Sequence, residues 1–318
     1  MHKKILAVFL VLALFFSAPF LIGCSDNTSS AKDSSSVSDS KNHDDSQKRT
    51  TVREYFLPEA SGTVVYGNDT ISIDASNVSE GYVMVRHQGG ADKVKLQITT
   101  PDGTVYSYTL SIGSFESFPL SGGNGNYHLD VLEHAYDDMY AVAFSQDIDV
   151  TINDEFRPYL YPNQYVWFTA DDQAVACAAS ISDQSADDLD YVEQIYNYVI
   201  ENITYDEELA ANVQADYLPD IDRTLSTKKG ICFDYASLMS AMLRSQGIPT
   251  KLVVGYSGDA YHAWISVYLT EVGWVDGIIQ FDGKNWSLMD PTLAANNSSR
   301  SVAKYIGDGN NYTVKYNY

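Results

Sequence analysis

Cysteine is scarce in this sequence, and basic residues are heavily outnumbered by acidic ones. The 318 residues include 3 cysteines, Cys24, Cys177 and Cys232, too few for a scaffold built on disulfides. Lysine and arginine together number 20 against 42 aspartates and glutamates, which gives a formal net charge of -22. A nucleic-acid binder needs clustered positive charge, so the composition excludes that class and predicts repulsion from anionic membrane surfaces. The length is sufficient for two modest domains.

The N-terminus resembles a bacterial lipoprotein export signal. A short basic start is followed by an almost wholly apolar stretch at positions 5–22, and Leu21-Ile22-Gly23-Cys24 is similar to a lipobox. The resemblance implies that residues 1–23 are a signal peptide and that Cys24 is lipidated. The protein is then expected outside the cell, anchored to the bacterial membrane through the lipid on Cys24. An uncleaved transmembrane anchor is the alternative, because the apolar stretch is near the lower length for a span.

Two regions of different composition follow the anchor. Residues 24–50 are rich in Ser, Asp, Asn and Lys and have too few apolar residues to offset the entropy of ordering, so they are predicted to be a disordered tether. Residues 51–155 contain short alternating runs separated by glycine-rich turns and no helix pattern between them. This region is therefore predicted to be an antiparallel β-sandwich domain. The strands are expected at four places: Tyr82–His87, Val94–Thr99, Val105–Leu110 and Tyr127–Leu132.

The hydrophobic period changes after Phe156, and residues 156–318 are predicted to form a second, α+β domain. Helices are expected over 174–181 and 189–203, and strands over 251–256, 261–269, 273–275 and 285–290. Helices therefore come first and the sheet second, which makes the whole chain α+β.

Cys232 is the candidate nucleophile of the second domain. After it, Tyr235, Leu238, Met239 and Met242 recur at helical spacing, and the pattern stops near Gly247. Cys232 is thus expected at a helix N-terminus, where unpaired N–H groups and the helix dipole favour a thiolate. Cys177, in an alanine-rich run, is interpreted as a small buried hydrophobe, although a Cys177–Cys232 bridge is conceivable.

His262 and Asp290 are the candidate partners of the thiol. Alternation along Tyr261–Leu269 places His262 on the face opposite the apolar core, near the start of a strand. Asp290 ends another strand just before a proline. If the two strands are neighbours, a spacing of about 4.8 Å lets the carboxylate reach the imidazole and fix its tautomer. Taken alone, each residue is as well explained by an ordinary structural role.

Together these segments resemble the transglutaminase-like superfamily. The resemblance rests on three segments in this order: Gly230-x-Cys232-x-Asp234-Tyr235-Ala236, Ala260-Tyr261-His262-Ala263-Trp264 and Met289-Asp290-Pro291-Thr292. It implies a papain-like core in which Cys232 is the nucleophile, His262 the general base and acid, and Asp290 the residue that orients the imidazole. Tyr205 lies in an upstream segment that also resembles the family and is either an oxyanion donor or a structural residue.

The resemblance implies a cysteine-dependent amide hydrolase or acyltransferase that forms a thioester with protein or peptide substrates. No calcium-loop spacing is present, and no metal or other cofactor is expected. The alternative is a non-catalytic surface module that binds wall or partner proteins on the same scaffold.

Overall fold

Two antiparallel sheets form the N-terminal part of the fold. The computed structural model describes residues 49–52, 55–257, 259–276, 279–281, 286–288 and 312–318. The first sheet has the strand order β1-β2-β3-β6 and consists of β1 (Val65–Gly67), β2 (Ile71–Asp74), β3 (Tyr82–His87) and β6 (Glu116–Pro119). The second has the order β5-β4-β7-β8 and consists of β4 (Val94–Thr99), β5 (Val105–Leu110), β7 (Gly125–Tyr136) and β8 (Met139–Val150).

Apolar side chains from both sheets meet in one core, as in a β-sandwich. The alternation along β4 buries Val94, Leu96 and Ile98, while the residues between them are half-exposed. Tyr108 of β5 meets Phe118 of β6 with 4.7 Å between the ring centroids. The predicted bounds of β3, β4 and β5 match the structure, whereas β7 is longer than expected and β1, β2, β6 and β8 were not predicted.

Five helices follow the sandwich. They are α1 (Gln173–Ser182), α2 (Asp188–Asn202), α3 (Glu207–Asn212), α4 (Ile221–Thr227) and α5 (Cys232–Arg244). Asp187 caps α2 by accepting a hydrogen bond from the Asp190 N–H at 2.9 Å, and Asp206 and Asp220 cap α3 and α4 in the same way. Some of the abundant aspartates therefore have a structural use. None of the helices in the described part of the chain is long and apolar enough to cross a membrane.

A four-stranded antiparallel sheet packs against α5. Its order is β13-β12-β11-β16, formed by β11 (Thr250–Ser257), β12 (Ala260–Leu269), β13 (Gly273–Asp276) and β16 (Tyr312–Asn317). Ala263, Ile265 and Val267 of β12 are buried in the same core as α5, as the alternation predicted. Gly255 of β11 lies opposite His262, and a Cβ added there would come within 2.0 Å of the Thr313 carbonyl oxygen of β16. Only glycine permits this close approach of strands.

The strand that precedes Asp290 does not lie beside β12. The strands β14 (Ile279–Phe281) and β15 (Trp286–Leu288) pair with each other, and the neighbours of β12 are β11 and β13. The condition under which the Asp290 carboxylate was expected to reach the imidazole, that its strand neighbours the His262 strand, is therefore not met among the described residues. Asp290 itself lies outside the described residues, as do Cys24 and residues 1–23.

Helix α5 is buried on nearly all sides and ends as predicted near Gly247. The predicted core face is buried, and so are the polar residues Ser237, Ser240 and Arg244. Gly247 has a left-handed φ of 80°, and the N–H of Ile248 reaches back to the Leu243 carbonyl at 3.1 Å. The first turn of this long buried helix carries Cys232, which gives the site a rigid support.

The sandwich and the helical part share contacts in the described residues, which form one unit. The ring of Tyr318, the last residue, lies 5.4 Å from that of Tyr106 and 4.6 Å from that of Tyr165. Arg49, inside the predicted tether, pairs with Asp188 at 2.8 Å. The boundary predicted between residues 155 and 156 stays a prediction, because a shared core is compatible with two domains packed together.

Candidate functional site

A short parallel strand pair leads into Cys232. The segment β9 (Thr204–Tyr205) pairs with β10 (Lys229–Gly230), and Cys232 begins α5 two residues later. Tyr205 thus lies on a two-residue strand. The register places Tyr205 beside Gly230, and so brings the tyrosine to the start of the helix.

Gly230 and Asp234 together fix how the helix starts. The Asp234 carboxylate is buried, accepts a hydrogen bond from the Ile231 N–H at 2.9 Å and another from the Tyr217 hydroxyl at 2.6 Å. A Cβ at Gly230 would come within 2.6 Å of the Asp234 Cβ. The glycine therefore makes room for the aspartate that caps α5.

The Cys232 thiol is mostly buried beneath strand β12. Its Sγ accepts hydrogen bonds from the backbone N–H groups of Ala263 and Phe233. Burial raises the pKa of the thiol, the N–H donors lower it in part, and the nearby Asp234 charge raises it further. The helix N-terminus was predicted to favour the thiolate, but in the structure desolvation outweighs the N–H donors.

His262 lies next to the residue that contacts the sulfur. Its ring is 21° from parallel to that of Trp264, with 6.2 Å between the centroids. Burial lowers the pKa of the imidazole, and no hydrogen bond joins the ring to another residue in the described part of the chain. The structure thus brings the His262–Ala263 peptide and Cys232 together, while Asp290, the predicted partner of the ring, is not described.

Tyr205 is close enough to Cys232 to interact electrostatically with it. Burial raises the pKa of the Tyr205 phenol, and the Cys232 charge raises it further. Both effects keep the hydroxyl protonated, which is the form that can donate a hydrogen bond to an oxyanion. The Tyr235 hydroxyl donates to the Ile203 carbonyl at 2.7 Å and so holds the segment before Tyr205 against α5.

The other cysteine is separate from the site. Cys177 and Cys232 are both free thiols, so the conceivable bridge between them is absent. Cys177 is half-buried against the core, and burial raises the pKa of its thiol too. Within the described ranges no group of three or more His, Cys, Asp and Glu side chains could hold a metal ion.

Sequence reasoning missed two features at this site. One is the Ala263 N–H that donates to the sulfur, and the other is the hydrogen bond from Tyr217 to Asp234. The first is a backbone N–H, which every residue except proline has, so the residue types cannot indicate it. The second joins residues 17 positions apart, and only the folded chain shows that they meet.

The region that contains Cys232 and His262 is similar to a known protein family. The model of the transglutaminase-like superfamily matches residues 175–277. This segment of the chain is therefore similar to the transglutaminase-like superfamily. The matched range ends before Asp290.

Curated relatives cover only part of this chain. YebA of Bacillus subtilis, itself uncharacterised, is 32% identical over 99 residues, which is 25% of this chain and 12% of that protein. A protein-glutamine gamma-glutamyltransferase of Pseudomonas aeruginosa is 35% identical over 69 residues, 17% of this chain and 10% of that protein. The chain thus spans about a tenth of the length of these two relatives.

Solved structures of similar proteins are distant. A candidate cysteine protease from Cytophaga hutchinsonii aligns with 80% of this chain and 74% of its own, at 13% identity and a TM-score of 0.34. Red sea bream transglutaminase aligns with 66% of this chain and 48% of its own, at 12% identity and a TM-score of 0.24.

Proposed function

We propose that this protein is a cysteine-dependent amide hydrolase or acyltransferase acting on protein or peptide amides. The observation that supports this best is the placement of Cys232 Sγ at the first turn of α5, against the N–H of the residue that follows His262. This arrangement lies inside the transglutaminase-like match. Thiol acyl transfer requires a nucleophile and a base within reach of it, and we propose His262, which precedes Ala263 on β12, as that base.

The reaction starts from a neutral thiol and a neutral imidazole. As Sγ attacks the amide carbon, its proton passes to the His262 ring, and the carbonyl oxygen becomes an oxyanion. The donors that we propose for that oxyanion are the Tyr205 hydroxyl and the backbone N–H at the start of α5. The imidazolium then gives its proton to the departing amine or ammonia, which leaves a thioester on Cys232.

The second half of the reaction resolves the thioester. Water attack gives an acid and makes the enzyme a hydrolase, whereas attack by an amine gives a new amide and makes it an acyltransferase. In either case His262 takes the proton of the attacking group and returns it to sulfur. Asp290 is proposed to orient the ring through the other imidazole nitrogen, which would also favour the imidazolium formed in each step.

A test measures ammonia release from blocked glutamine peptides by the full chain, with and without a dansylated amine as acceptor. We expect Cys232→Ala to abolish release and His262→Ala to slow it by about 100-fold or more. The matched control is Cys177→Ser, which removes a free half-buried thiol outside the site and should keep the full rate. Incorporation of the dansylated amine identifies a transferase, and release without incorporation identifies a hydrolase.

One feature favours the alternative, a non-catalytic module. The cavity beside Cys232 has a volume of about 10 Å³, which is about the space of one water molecule. A peptide amide needs that cleft to widen before it can reach Sγ. If the full chain binds peptides but Cys232→Ala and the unaltered protein release ammonia equally slowly, the module is favoured over the enzyme.

We further propose that the protein acts outside the cell, held at the membrane by a lipid on Cys24. The support is the Leu21-Ile22-Gly23-Cys24 segment and the polar stretch that follows it. Expression of Cys24→Ala in a bacterial host should move the protein out of the membrane fraction and abolish labelling by a fatty-acid analogue. Membrane retention of the variant would indicate an uncleaved apolar anchor instead.

A further inference from the structure

An arginine without a partner lines a pocket on the β-sandwich. The structure describes five arginines, and four of them donate hydrogen bonds or form ion pairs: Arg49, Arg157, Arg223 and Arg244. Arg86 has neither among the described residues, and its Nε is buried without an acceptor. The sequence has 42 acidic residues, so an arginine without a carboxylate is unexpected here.

The guanidinium of Arg86 is held in place although it is unpaired. Its Cζ lies 4.5 Å from the centroid of the Phe115 ring, which fixes the plane of the group by stacking. Arg157 of the same part of the chain stacks in the same way on Phe56, at 4.4 Å, but also pairs with Glu80 at 3.1 Å. The comparison shows what Arg86 lacks, which is a planar anion on its open side.

The pocket beside Arg86 is polar and of sufficient size for a small group. It has a volume of about 350 Å³. It is lined by strand β1, by the turn after it, which includes the carboxylate of Asp69, and by Ser72 and Gln88. In the turn, the Asn68 side chain accepts hydrogen bonds from the N–H groups of Thr70 and Ile71, both at 3.0 Å, so the pocket wall is preformed. The size is at the lower end of ligand sites in proteins.

Strand β1 gives the pocket a second kind of recognition. It lies at the edge of its sheet, with β2 on one side and no other described strand on the other. The free N–H and C=O groups of an edge strand pair with an extended peptide, and its Val65–Gly67 backbone lines the same pocket as Arg86. Arg86 lies two strands in from this edge, because Gly67 pairs with Ser72 and Ser72 pairs with Arg86. A peptide paired with β1 would therefore extend its carboxylate to Arg86 across the face of the sheet.

We infer that the β-sandwich carries a binding site for carboxylate-bearing peptides, in which Arg86 receives the carboxylate in a bidentate pair. This site is separate from Cys232 and does not depend on the chemistry proposed there. Its ligand is either a peptide C-terminus or an acidic side chain, which share the planar carboxylate that matches a guanidinium.

Calorimetric titration of the full chain tests the inference, with Cys232→Ala introduced so that no probe is turned over. The probes are acetyl-trialanine as the free acid, its C-terminal amide, acetyl-aspartyl amide and glucuronic acid. We expect the free acid to bind about tenfold more tightly than the amide. Binding of acetyl-aspartyl amide at a similar strength would assign the site to acidic side chains as well as C-termini.

Variants of Arg86 and one matched arginine complete the test. Arg86→Ala should weaken binding of the free acid by about tenfold or more, and Arg86→Lys should weaken it less, because the charge remains and the bidentate geometry is lost. Arg157→Ala, which removes a stacked but paired arginine, should bind as the parent does. If Arg86→Ala fails to fold, Arg86→Lys and the contrast between acid and amide still decide.

Three results would overturn the inference. They are equal binding of acid and amide, equal binding by Arg86→Ala and its parent, and absence of acid binding up to about 10 mM. Tighter binding of glucuronic acid than of the peptide acid would overturn the peptide assignment and indicate a sugar acid. Loss of amide turnover in the test of the catalytic site leaves each of these outcomes unaffected.

Discussion

At Cys232, burial and hydrogen bonding act in opposite directions on one thiol. The N–H groups of Ala263 and Phe233 favour the thiolate, but loss of hydration disfavours it more, so the pKa of the thiol is raised. The same burial lowers the pKa of the His262 imidazole. Both shifts favour uncharged groups, so at neutral pH the resting pair is a thiol and a neutral imidazole. In the proposed reaction, the charged pair forms only as the thiol attacks the amide.

This protonation state predicts how alkylation of Cys232 depends on pH. Iodoacetamide reacts with the thiolate, so the labelling rate should rise about tenfold per pH unit from pH 6 and level off only above about pH 8.5, where an ordinary thiol titrates. Mass spectrometry of the tryptic peptides measures the rate separately for Cys232 and Cys177. Burial raises the pKa of both thiols, so we expect Cys232 to react faster at each pH only because His262 takes its proton as the sulfur attacks.

The opposite resting state, a thiolate and an imidazolium, would change how the labelling rate depends on pH. A thiolate–imidazolium pair would give fast labelling that is flat between about pH 5 and pH 7. Equal and slow labelling of both cysteines would contradict the nucleophile assignment itself.

At the scale of the element, the start of α5 depends on one small residue. Gly230, on β10, leaves the space into which the Asp234 carboxylate folds back to accept the Ile231 N–H. The same carboxylate accepts a hydrogen bond from the Tyr217 hydroxyl, which connects the turn before Cys232 to the loop before α4. The buried Asp234 side chain thus positions three backbone segments, which are the start of α5, the turn before it and the loop before α4.

Gly230→Ala should therefore disturb both stability and chemistry. The added methyl group would lie 2.6 Å from the Asp234 Cβ, and the overpacking should lower the free energy of unfolding by about 1–3 kcal/mol. Displacement of the first turn of α5 should also slow the alkylation of Cys232. Urea unfolding and the labelling rate measure the two effects.

Gly90→Ala is the matched control for that substitution. A Cβ at Gly90 would have no atom within 4 Å, so the free energy of unfolding should change by less than about 0.5 kcal/mol. An unchanged labelling rate in Gly230→Ala would show that the capping aspartate can move without affecting the sulfur.

At the scale of the whole molecule, Arg244 and Tyr318 connect distant segments. The buried guanidinium of Arg244 donates to the carbonyls of Tyr161, Thr250 and Tyr318 at 2.9, 2.8 and 2.6 Å. Tyr318 packs against Tyr106 of the sandwich. Tyr318 therefore contacts the sandwich through its ring and accepts a hydrogen bond from Arg244 of α5 through its backbone carbonyl.

Arg244→Met should show how far this connection stabilises the fold. The substitution keeps an apolar stem but removes three hydrogen bonds to buried carbonyls, of which Tyr318 keeps a second donor in the Leu252 N–H. It should lower the free energy of unfolding by at least about 3 kcal/mol. Arg157→Met, at a half-exposed ion pair, should change it by less than about 1 kcal/mol. Calorimetry should show one transition in the parent, at a lower temperature in Arg244→Met.

Two transitions in the calorimetric trace would contradict the expectation of a single cooperative unit. They would instead support the predicted boundary between residues 155 and 156, with each part unfolding on its own.

The elements that could be predicted are those in which buried residues recur at the regular spacing of a strand or a helix. Strands β3, β4 and β5 have the predicted bounds, and α1 and α2 begin and end within two residues of them. Strand β8 was missed because it is a sheet edge with one partner, and half-exposed residues carry little alternation. Strand β16 was missed because it is defined by pairing with β11, more than 50 residues earlier.

For the site, the residue types and their order can be read from the sequence alone: a cysteine that opens a helix, and a histidine near the start of a strand. Local periodicity encodes these positions, because helix and strand faces are set by the backbone. The contact of the Ala263 N–H with the sulfur, and the burial that raises the pKa of the thiol, depend on the folded chain. So does the finding that Arg86 has no hydrogen bond or ion pair with another described residue. Solvation and hydrogen bonding depend on which distant segments meet, and that is settled by packing of the whole chain.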